Sequence, residues 1–258
     1  MSDFHWKTSI TEVSPNKISI RGYPVDKLMD KLTFAQAIFL VLKGEMPTPK
    51  AGKLIDAILV SSIDHGASPP SVLTSRTVAS TGAELNSAVA AGVLAISKYH
   101  GGAIEQGMNL FIKISSLMDE KGLNDDQATE EVLTEMKKKG KRASGFGHRI
   151  HTQDPRTKKL FSLAEELGFS GKFVSIALSV EKHLEKKLGK PIPINVDGAI
   201  AALLCELGIS PEIGNAFFII ARVPGLVAQV HEEKMRMKPM RKIHPQDFEY
   251  DGPKEREF

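Results

Sequence analysis

The sequence predicts a nearly all-α protein with a short β-hairpin near its N-terminus. Apolar residues recur at helical spacing in most segments after Pro24. Strict alternation of apolar and polar residues is confined to residues 8–21, where Pro15-Asn16 supplies a turn. Because no further alternating segments are available for strand pairing, a parallel sheet is not expected.

The helical segments follow one another with short connections. Periodicity begins after Pro24 and continues to Leu42, and Gly44 ends that run. A capping threonine followed by proline predicts the next helix start at Thr48. Small side chains dominate residues 85–98, which favours close approach to another helix or a subunit interface. Further helices are expected at 71–81, 85–98, 103–118, 125–138, 155–167, 172–188, 196–207, 212–222 and 225–236, before an extended tail.

The composition is that of an ordinary globular protein: 258 residues, 41% hydrophobic and 25% charged, with a formal net charge of +3. This mildly basic balance suits an anionic small ligand. It argues only weakly for nucleic acid, because the basic segment 137–142 has no aromatic residues beside it for base stacking.

Cysteine usage and the N-terminus bear on location. Cys205 is the single cysteine, so no internal disulfide is possible and a reducing cytoplasm is expected. Its apolar surroundings favour a packing role over a nucleophilic one. The N-terminus does not have the pattern of a signal peptide, and we expect no segment long and apolar enough to cross a membrane.

Three short segments carry candidate acid–base groups: His100 before two glycines, His148 after Gly145-Phe146-Gly147, and Asp197 at a helix start. Taken singly, each has a plain structural explanation as a core histidine, a solvated basic turn and a helix cap. Together, two imidazoles and a carboxylate can move two protons, as making or breaking a carbon–carbon bond beside a carbonyl requires.

The ordered set of motifs resembles the citrate synthase family over nearly the whole chain. Each motif alone is weak evidence for the family, but the complete set in this order is specific to it. The segments that carry the resemblance are Ile20-Arg21-Gly22-Tyr23-Pro24, Gly44-Glu45-Met46-Pro47-Thr48, Asp64-His65, Ser75-Arg76-Thr77, His100-Gly101-Gly102-Ala103, Gly145-Phe146-Gly147-His148-Arg149, Asp154-Pro155-Arg156, Asn195-Val196-Asp197 and Ala221-Arg222 with Gly225.

Departures from the synthase pattern favour a different reaction. The chain lacks the long segment that synthases carry between the turn ending at Thr48 and Asp64, and Gly198 replaces their bulky residue. The segment 195–198 and the ending at 243–250 resemble citryl-CoA lyases and the C-terminal lyase module of ATP-citrate lyases. That module has phenylalanine at the position of His100, whereas this chain keeps histidine, so the direction of reaction stays open.

The resemblance implies a citrate-synthase-like helical fold with two domains. Residues 1–100 and 209–258 would form a large dimerising domain, and residues 101–208 a small domain that binds CoA. It also implies a homodimer or higher homo-oligomer, in which Arg241 would act in the partner's site. Arg241 lies in a polar tail, so simple solvation is the alternative.

The implied reaction is cleavage of citryl-CoA to acetyl-CoA and oxaloacetate, without a metal and without a permanently bound cofactor. The CoA thioester is then substrate or product. His148 would take the hydroxyl proton, His100 would hydrogen-bond the thioester oxygen, and Asp197 would handle the proton at the acetyl carbon. Dicarboxylate binding is implied for His65, Arg156, Arg222 and Arg241, and CoA binding for Lys141, Arg142, Gly145, Phe146, Gly147, Ile194 and Asn195.

Other readings remain open at this point. A minimal citrate or 2-methylcitrate synthase shares the same residues, and a non-catalytic helical protein that binds acyl-CoA or dicarboxylates could reuse the scaffold. A metal site built from His148, His151, His231 and His244 does not repeat a familiar ligand spacing. Since the sequence carries no ATP-binding motif, a separate citryl-CoA synthetase would have to activate citrate.

Overall fold

A computed structural model describes residues 5–147 and 154–257. It is mainly helical, as predicted, and its elements follow in chain order. They are β1 Thr11–Ser14, β2 Lys17–Ile20, β3 Tyr23–Pro24, α1 Val25–Lys31, α2 Phe34–Lys43, α3 Pro49–Ser61, α4 Pro70–Ser80, α5 Leu85–Leu94, α6 Ala103–Lys121, α7 Asp125–Lys138, α8 Pro155–Leu167, α9 Lys172–Leu188, α10 Val196–Glu206 and α11 Gly214–Arg236, with short 3₁₀ turns at Pro211–Ile213 and Pro245–Asp247.

The predicted hairpin is part of a three-stranded antiparallel sheet in the order β1-β2-β3. Thr11 pairs with Ile20, and the short third strand adds Tyr23 opposite Ile20. Asn16 adopts a left-handed conformation in the first turn, which its short polar side chain tolerates. The Arg21 guanidinium donates to the carbonyl of Val41 and so fixes the sheet to the end of α2.

The single helical run expected after Pro24 is two helices. The first ends at Lys31. Thr33 caps the second, where its hydroxyl accepts from the backbone of Gln36 while the Gln36 side chain accepts from the backbone of Thr33. This reciprocal capping box supplies partners for amides that would otherwise be unpaired at the helix start. The predicted cap at Thr48 is confirmed, with its hydroxyl accepting from Ala51 at 3.1 Å.

The chain divides into two compact units. The first comprises residues 5–64, 96–147 and 154–222, and α10 lies at its centre against α6, α8 and α9. Residues 199–204 of α10 are 0–1% exposed, so this helix is enclosed by protein on all sides. Gly107 of α6 permits the close crossing, because a Cβ there would lie 2.9 Å from the Cβ of Ala201.

The second unit comprises residues 65–95 and 223–257. Here α4 and α5 pack so closely that a Cβ on Gly92 would lie 2.9 Å from the carbonyl oxygen of Ser71, which confirms close approach by this small-residue helix. The helix ends at Leu94 rather than at residue 98 as predicted. The predicted large domain (1–100 and 209–258) and small domain (101–208) stay predictions.

The last long helix also differs from expectation. Two helices separated near Pro224 were predicted, but α11 continues through that proline. The expectation that no segment could span a membrane needs correction as well, because residues Pro211–Arg236 are long and apolar enough by length and composition. Core helices pass the same test, and 44% of the apolar window is buried inside the protein. Buried charges at Arg222 and Glu233 also suit a packed helix better than a lipid-facing one.

Candidate active site

His100 sits at the end of a tight turn that follows α5. The backbones of Ser97 and His100 exchange two hydrogen bonds of 2.9 Å, which fixes the turn. Gly101 then adopts φ of +85°, and a Cβ there would lie 2.6 Å from the ring of Phe218. Glycine is therefore required at this position both by conformation and by space. The His100 ring meets the Phe218 ring edge to face at 5.5 Å.

Phe218 links His100 to Arg222, one turn further along α11. The guanidinium carbon of Arg222 lies 4.8 Å from the centre of the Phe218 ring, and its Nε donates to the carbonyl of Ser62 at 2.9 Å. Arg222 is 2% exposed, and its Nη1 has no acceptor within the described part of the chain. A buried guanidinium with an unused donor is suited to receiving an anionic group.

The helix cap at the start of α10 is Asn195, so the interpretation of Asp197 as a cap is wrong. The Asn195 Oδ1 accepts from the backbone N–H of Asp197 at 3.0 Å and of Gly198 at 3.1 Å. Asp197 is the second residue of the helix, and its carboxylate is thereby released from the capping role. The catalytic role of Asp197 stays a prediction.

Both burial and nearby charges affect the pKa of Asp197. Burial raises the pKa of Asp197 above its ordinary value, while Arg156 and Arg222 oppose that shift and Asp154 adds to it. Burial lowers the pKa of Arg222, opposed by Asp64. Electrostatic interactions between charges weaken with distance, so the effects of Arg156 and Arg222 on the pKa of Asp197 indicate that the three groups lie near one another. We call these three residues of the first unit the charged cluster.

Arg156 is held by the residue two positions before it. The buried Asp154 accepts from Nε of Arg156 at 3.0 Å and from Nη2 at 2.8 Å, and it also caps α8 through the backbone of Arg156. The segment Asp154-Pro155-Arg156 is thus the start of a helix, as the sequence indicates. The Asp154 carboxylate in addition orients the guanidinium of Arg156. The Nη1 atom points to the carbonyl of Ser61 at 3.4 Å.

The predicted CoA-contacting residues of two separate segments lie together. Phe146 and Ile194 form an isolated β-bridge, the N–H of Asn195 donates to Gly145, and the N–H of Gly147 donates to Pro193. The structure therefore joins the glycine-rich loop, residues 144–147, to the segment that leads into α10.

Gly145 and Gly198 make the closest backbone approach at this junction. A Cβ on Gly198 would lie 2.2 Å from the carbonyl oxygen of Gly145, and a Cβ on Gly145 would lie 2.6 Å from the Cα of Gly198. Gly145 also has φ of +89°. No side chain fits at either position unless the loop moves away from α10.

A cavity of about 810 Å³ opens beside the loop in the first unit. Its lining includes five cationic side chains, among them the predicted Lys141 and Arg142; the others are Lys98, Lys113 and Lys139. Glu135 offsets part of this charge, and hydrogen bonds from Lys113 and Lys139 lower its pKa to about 2. The size falls within the range of small-ligand sites, and the surplus positive charge favours an anionic occupant.

The three other residues with predicted catalytic or dicarboxylate-binding roles are His148, His65 and Arg241. His148, and with it His151, lies outside the described residues. His65 and Arg241 belong to the second unit, where Arg241 donates from Nε to the buried Glu233 at 2.9 Å. The alternative that Arg241 is merely solvated is therefore wrong, and its role in a partner's site stays a prediction.

Two contributors were missed by sequence reasoning. Phe218 received no role, although its position four residues before Arg222 places both on one helix face. For Asp154, the sequence indicates only a position at a helix start. Its burial, which makes the pairing with Arg156 significant, depends on the tertiary fold.

The comparisons with known proteins agree with this architecture. Residues 46–246 match the family model described as citrate synthase, C-terminal domain. Because that match covers most of the chain, the protein belongs to the citrate synthase family. A curated citrate synthase from Haloferax volcanii is 27% identical over 234 residues, which are 89% of this chain and 58% of that protein. The chain thus spans little more than half of this relative.

Solved structures resemble the chain over its full length. The citryl-CoA lyase from Hydrogenobacter thermophilus superposes with a TM-score of 0.89 at 43% identity, covering 98% of this chain and 97% of that one. ATP citrate lyase from Methanothrix soehngenii, in complex with citrate and coenzyme A, gives a TM-score of 0.82 at 25% identity, covering 99% of this chain and 43% of that one. The predicted family and fold class are confirmed.

The close approach at Gly198 is testable by Gly198→Ala. Alanine normally stabilises a helix relative to glycine, but here its Cβ would meet a carbonyl oxygen, so we expect a loss of about 1–3 kcal/mol in unfolding free energy. Denaturant titration measures this. Gly122→Ala, which changes a left-handed glycine with no neighbour within 4 Å, should lose only about 1 kcal/mol. A stabilised Gly198→Ala variant would show that the loop does not press on α10.

The raised pKa of Asp197 predicts how stability depends on pH. The folded protein keeps this proton at pH values where the unfolded chain has lost it, so stability falls as pH rises from about 4 through the folded-state pKa. Asp197→Asn removes that loss. We expect the melting temperature of the variant, relative to the parent, to increase with pH over this window and then level off. Calorimetry of the parent and the variant across this window measures the difference, and a flat difference for Asp197→Asn would contradict the prediction.

Proposed function

We propose that this chain is a citryl-CoA lyase, which cleaves citryl-CoA to acetyl-CoA and oxaloacetate. The observation that carries this choice is the end-to-end match to a citryl-CoA lyase chain at 43% identity, covering 97% of that chain. The match to the Haloferax citrate synthase covers only 58% of that relative. The short interval between Thr48 and Asp64, and Gly198 after Asp197, support the same choice.

Cleavage requires two proton movements. The hydroxyl of the citryl group loses its proton, its oxygen forms the ketone of oxaloacetate, and the electron pair of the broken carbon–carbon bond passes to the acetyl-CoA enolate. That enolate then takes a proton at carbon. Acid–base groups on both sides of the bond are therefore needed, and their roles reverse in the opposite direction.

Asp197 suits the second proton movement. Because burial raises its pKa, the carboxyl stays protonated to higher pH than an exposed aspartate. The protonated form is the one that donates to an enolate carbon in the cleavage direction. The nearby Arg156 and Arg222 limit the shift, so the group can still lose its proton when the direction reverses.

The arginines suit the dicarboxylate half of the substrate. The buried Nη1 of Arg222 lacks an acceptor within the described chain and lies in the same charged cluster as Asp197. The guanidinium of Arg156 is oriented by Asp154 and keeps donors for a further anion. Guanidinium groups bind carboxylates bidentately, so both can fix the oxaloacetate carboxylates. The family resemblance also implies His65 as a further donor, and Arg241 as a donor in the partner's site.

The two histidines would act at the oxygens. His100, positioned by the Ser97 turn and Phe218, would hydrogen-bond the thioester oxygen where enolate charge develops. His148 would accept the hydroxyl proton and follows the glycine-rich loop directly in sequence. The basic cavity would receive the CoA phosphates, with the loop and the segment Ile194-Asn195 along the remaining arm.

The proposal extends to assembly and location. We expect a homodimer in which Arg241 reaches the partner's site, and a separate citryl-CoA synthetase that supplies the substrate. A reducing cytoplasm suits Cys205, whose thiol is buried and has its pKa raised to about 12 by burial and by Glu206. Such a thiol is poorly reactive and acts as a packing residue.

A citrate synthase is the second candidate, favoured by the curated relatives of that name and by the retained His100. A synthase, or a 2-methylcitrate synthase, must also hydrolyse the thioester after the new bond forms. The products formed from citryl-CoA distinguish this reaction from cleavage. They also separate both from a non-catalytic protein that only binds acyl-CoA or dicarboxylates.

The decisive assay supplies chemically prepared citryl-CoA and measures oxaloacetate through a coupled dehydrogenase, with free CoA thiol followed in parallel. We expect equal amounts of oxaloacetate and acetyl-CoA and no free CoA. Asp197→Ala should lose at least about a hundredfold in turnover, because it removes a proton carrier. Asp126→Ala is the matched control, since Asp126 is the second residue of α7 as Asp197 is of α10.

The outcomes of that assay are distinct. Release of free citrate and CoA from citryl-CoA would identify a synthase-type enzyme. Binding of citryl-CoA without turnover would favour a non-catalytic binding protein. Full turnover by Asp197→Ala would show that Asp197 does not carry a proton in the reaction.

Arg222→Lys tests the dicarboxylate half separately. Lysine keeps the charge but loses the planar fork, so we expect oxaloacetate affinity to fall at least about tenfold while CoA affinity stays unchanged. Titration calorimetry with each ligand alone measures both. Equal oxaloacetate affinity in the variant and the parent would place the carboxylate elsewhere.

A further inference from the structure

Both the oxygen and the nitrogen of the Asn195 side-chain amide form hydrogen bonds. Its Oδ1 accepts from the backbone N–H groups of Asp197 and Gly198, and its Nδ2 donates to the carbonyl of Gly147 at 2.9 Å. One side chain therefore joins the first turn of α10 to the glycine-rich loop. An asparagine needed only as a helix cap would not require the second bond.

The remaining bonds across this junction are made by the backbone. Asn195 donates to Gly145 at 3.0 Å, and Gly147 donates to Pro193 at 2.7 Å. Substitution cannot remove them directly. Within the described residues, the bond from Asn195 Nδ2 is the side-chain bond between the loop and the start of α10, so substitution can remove it. The other end of the loop is held by the Ser144 hydroxyl, which donates to Oε1 of Gln106 on α6 at 2.6 Å.

The contact between Gly145 and Gly198 makes that position sensitive. The two backbones already touch, so the loop can move only away from α10 or along it. The bond at Gly147 lies beyond this contact and restrains movement along the helix start. The contact and the bond together fix two points of the loop.

We propose that Asn195 is a positioning residue that holds the glycine-rich loop in register on α10 and thereby sets the separation between the loop and Asp197. This role rests on the proposed function for the identity of Asp197 as proton carrier. It differs from the contact with CoA that the family resemblance implies for Asn195, because it acts through Gly147 rather than through the ligand.

Asn195→Asp separates the two ends of the amide. Aspartate keeps the oxygen that caps α10, and Asp is as good a cap as Asn. It lacks the N–H that reaches Gly147 and places a carboxylate oxygen against a carbonyl instead. Asn195→Ser is a second variant that also keeps a capping oxygen and is too short to reach the loop, without adding charge.

Asn124→Asp is the matched control. Asn124 caps α7 in the same way, with its Oδ1 accepting from Gln127 at 2.9 Å, and its substitution repeats the chemical change at another helix start. A general effect of the substitution on a capped helix would appear in both variants. An effect through the loop would appear only at Asn195.

The experiment combines amide hydrogen exchange with steady-state kinetics on the full chain. For Asn195→Asp and Asn195→Ser we expect faster exchange in peptides covering residues 144–147, with unchanged exchange over residues 198–205 of α10. With citryl-CoA we expect turnover to fall by about ten- to a hundredfold, as a displacement of order 1 Å can cause, while KM changes less than about threefold. Asn124→Asp should match the parent in both measurements.

Opposite outcomes overturn the proposal in different ways. Unchanged loop exchange in both Asn195 variants would show that the amide does not hold the loop. A fall in CoA affinity with unchanged exchange would make Asn195 a ligand contact. Because the exchange measurement needs no substrate, it tests the positioning role even if the parent protein fails to cleave citryl-CoA, which would overturn the proposed function instead.

Discussion

The contact between the glycine-rich loop and the first turn of α10 is the constraint on which the site depends. Two glycines, Gly145 and Gly198, bring backbone against backbone at a distance that excludes any side chain. Three hydrogen bonds from residues 147 and 195 then fix the register. Because α10 is enclosed by the core, the loop is held against a buried helix of the first unit.

Charge placement around that helix start follows from burial. Burial raises the pKa of Asp197 and lowers the pKa of Arg222, while the nearby charges of Arg156 and Arg222 oppose the rise at Asp197. Asn195 caps the helix in place of Asp197, which leaves the carboxyl of Asp197 available. Asp154 holds Arg156, and Phe218 packs between His100 and Arg222, so neutral and charged neighbours both orient the candidate reactive groups.

Local rules predicted much of the fold. The capping residue at Thr48 begins a helix as expected, and the periodicity of residues 172–188 gives α9. Prediction failed where local and tertiary effects compete. Pro224 suggested a break, yet α11 continues through it. A similar periodicity on both sides of Thr33 concealed the boundary between α1 and α2.

By itself, the sequence determined the helical class, the family and the candidate groups, because periodicity, caps and ordered motifs are local properties of the chain. Only the tertiary structure decided which groups share an environment. Burial raises the pKa of Asp197. The buried Nη1 of Arg222 has no acceptor in the described chain. Gly198 lies so close to the carbonyl of Gly145 that no side chain fits there. Each of these depends on neighbours distant in sequence, since desolvation and close contact are set by what the fold brings alongside a residue.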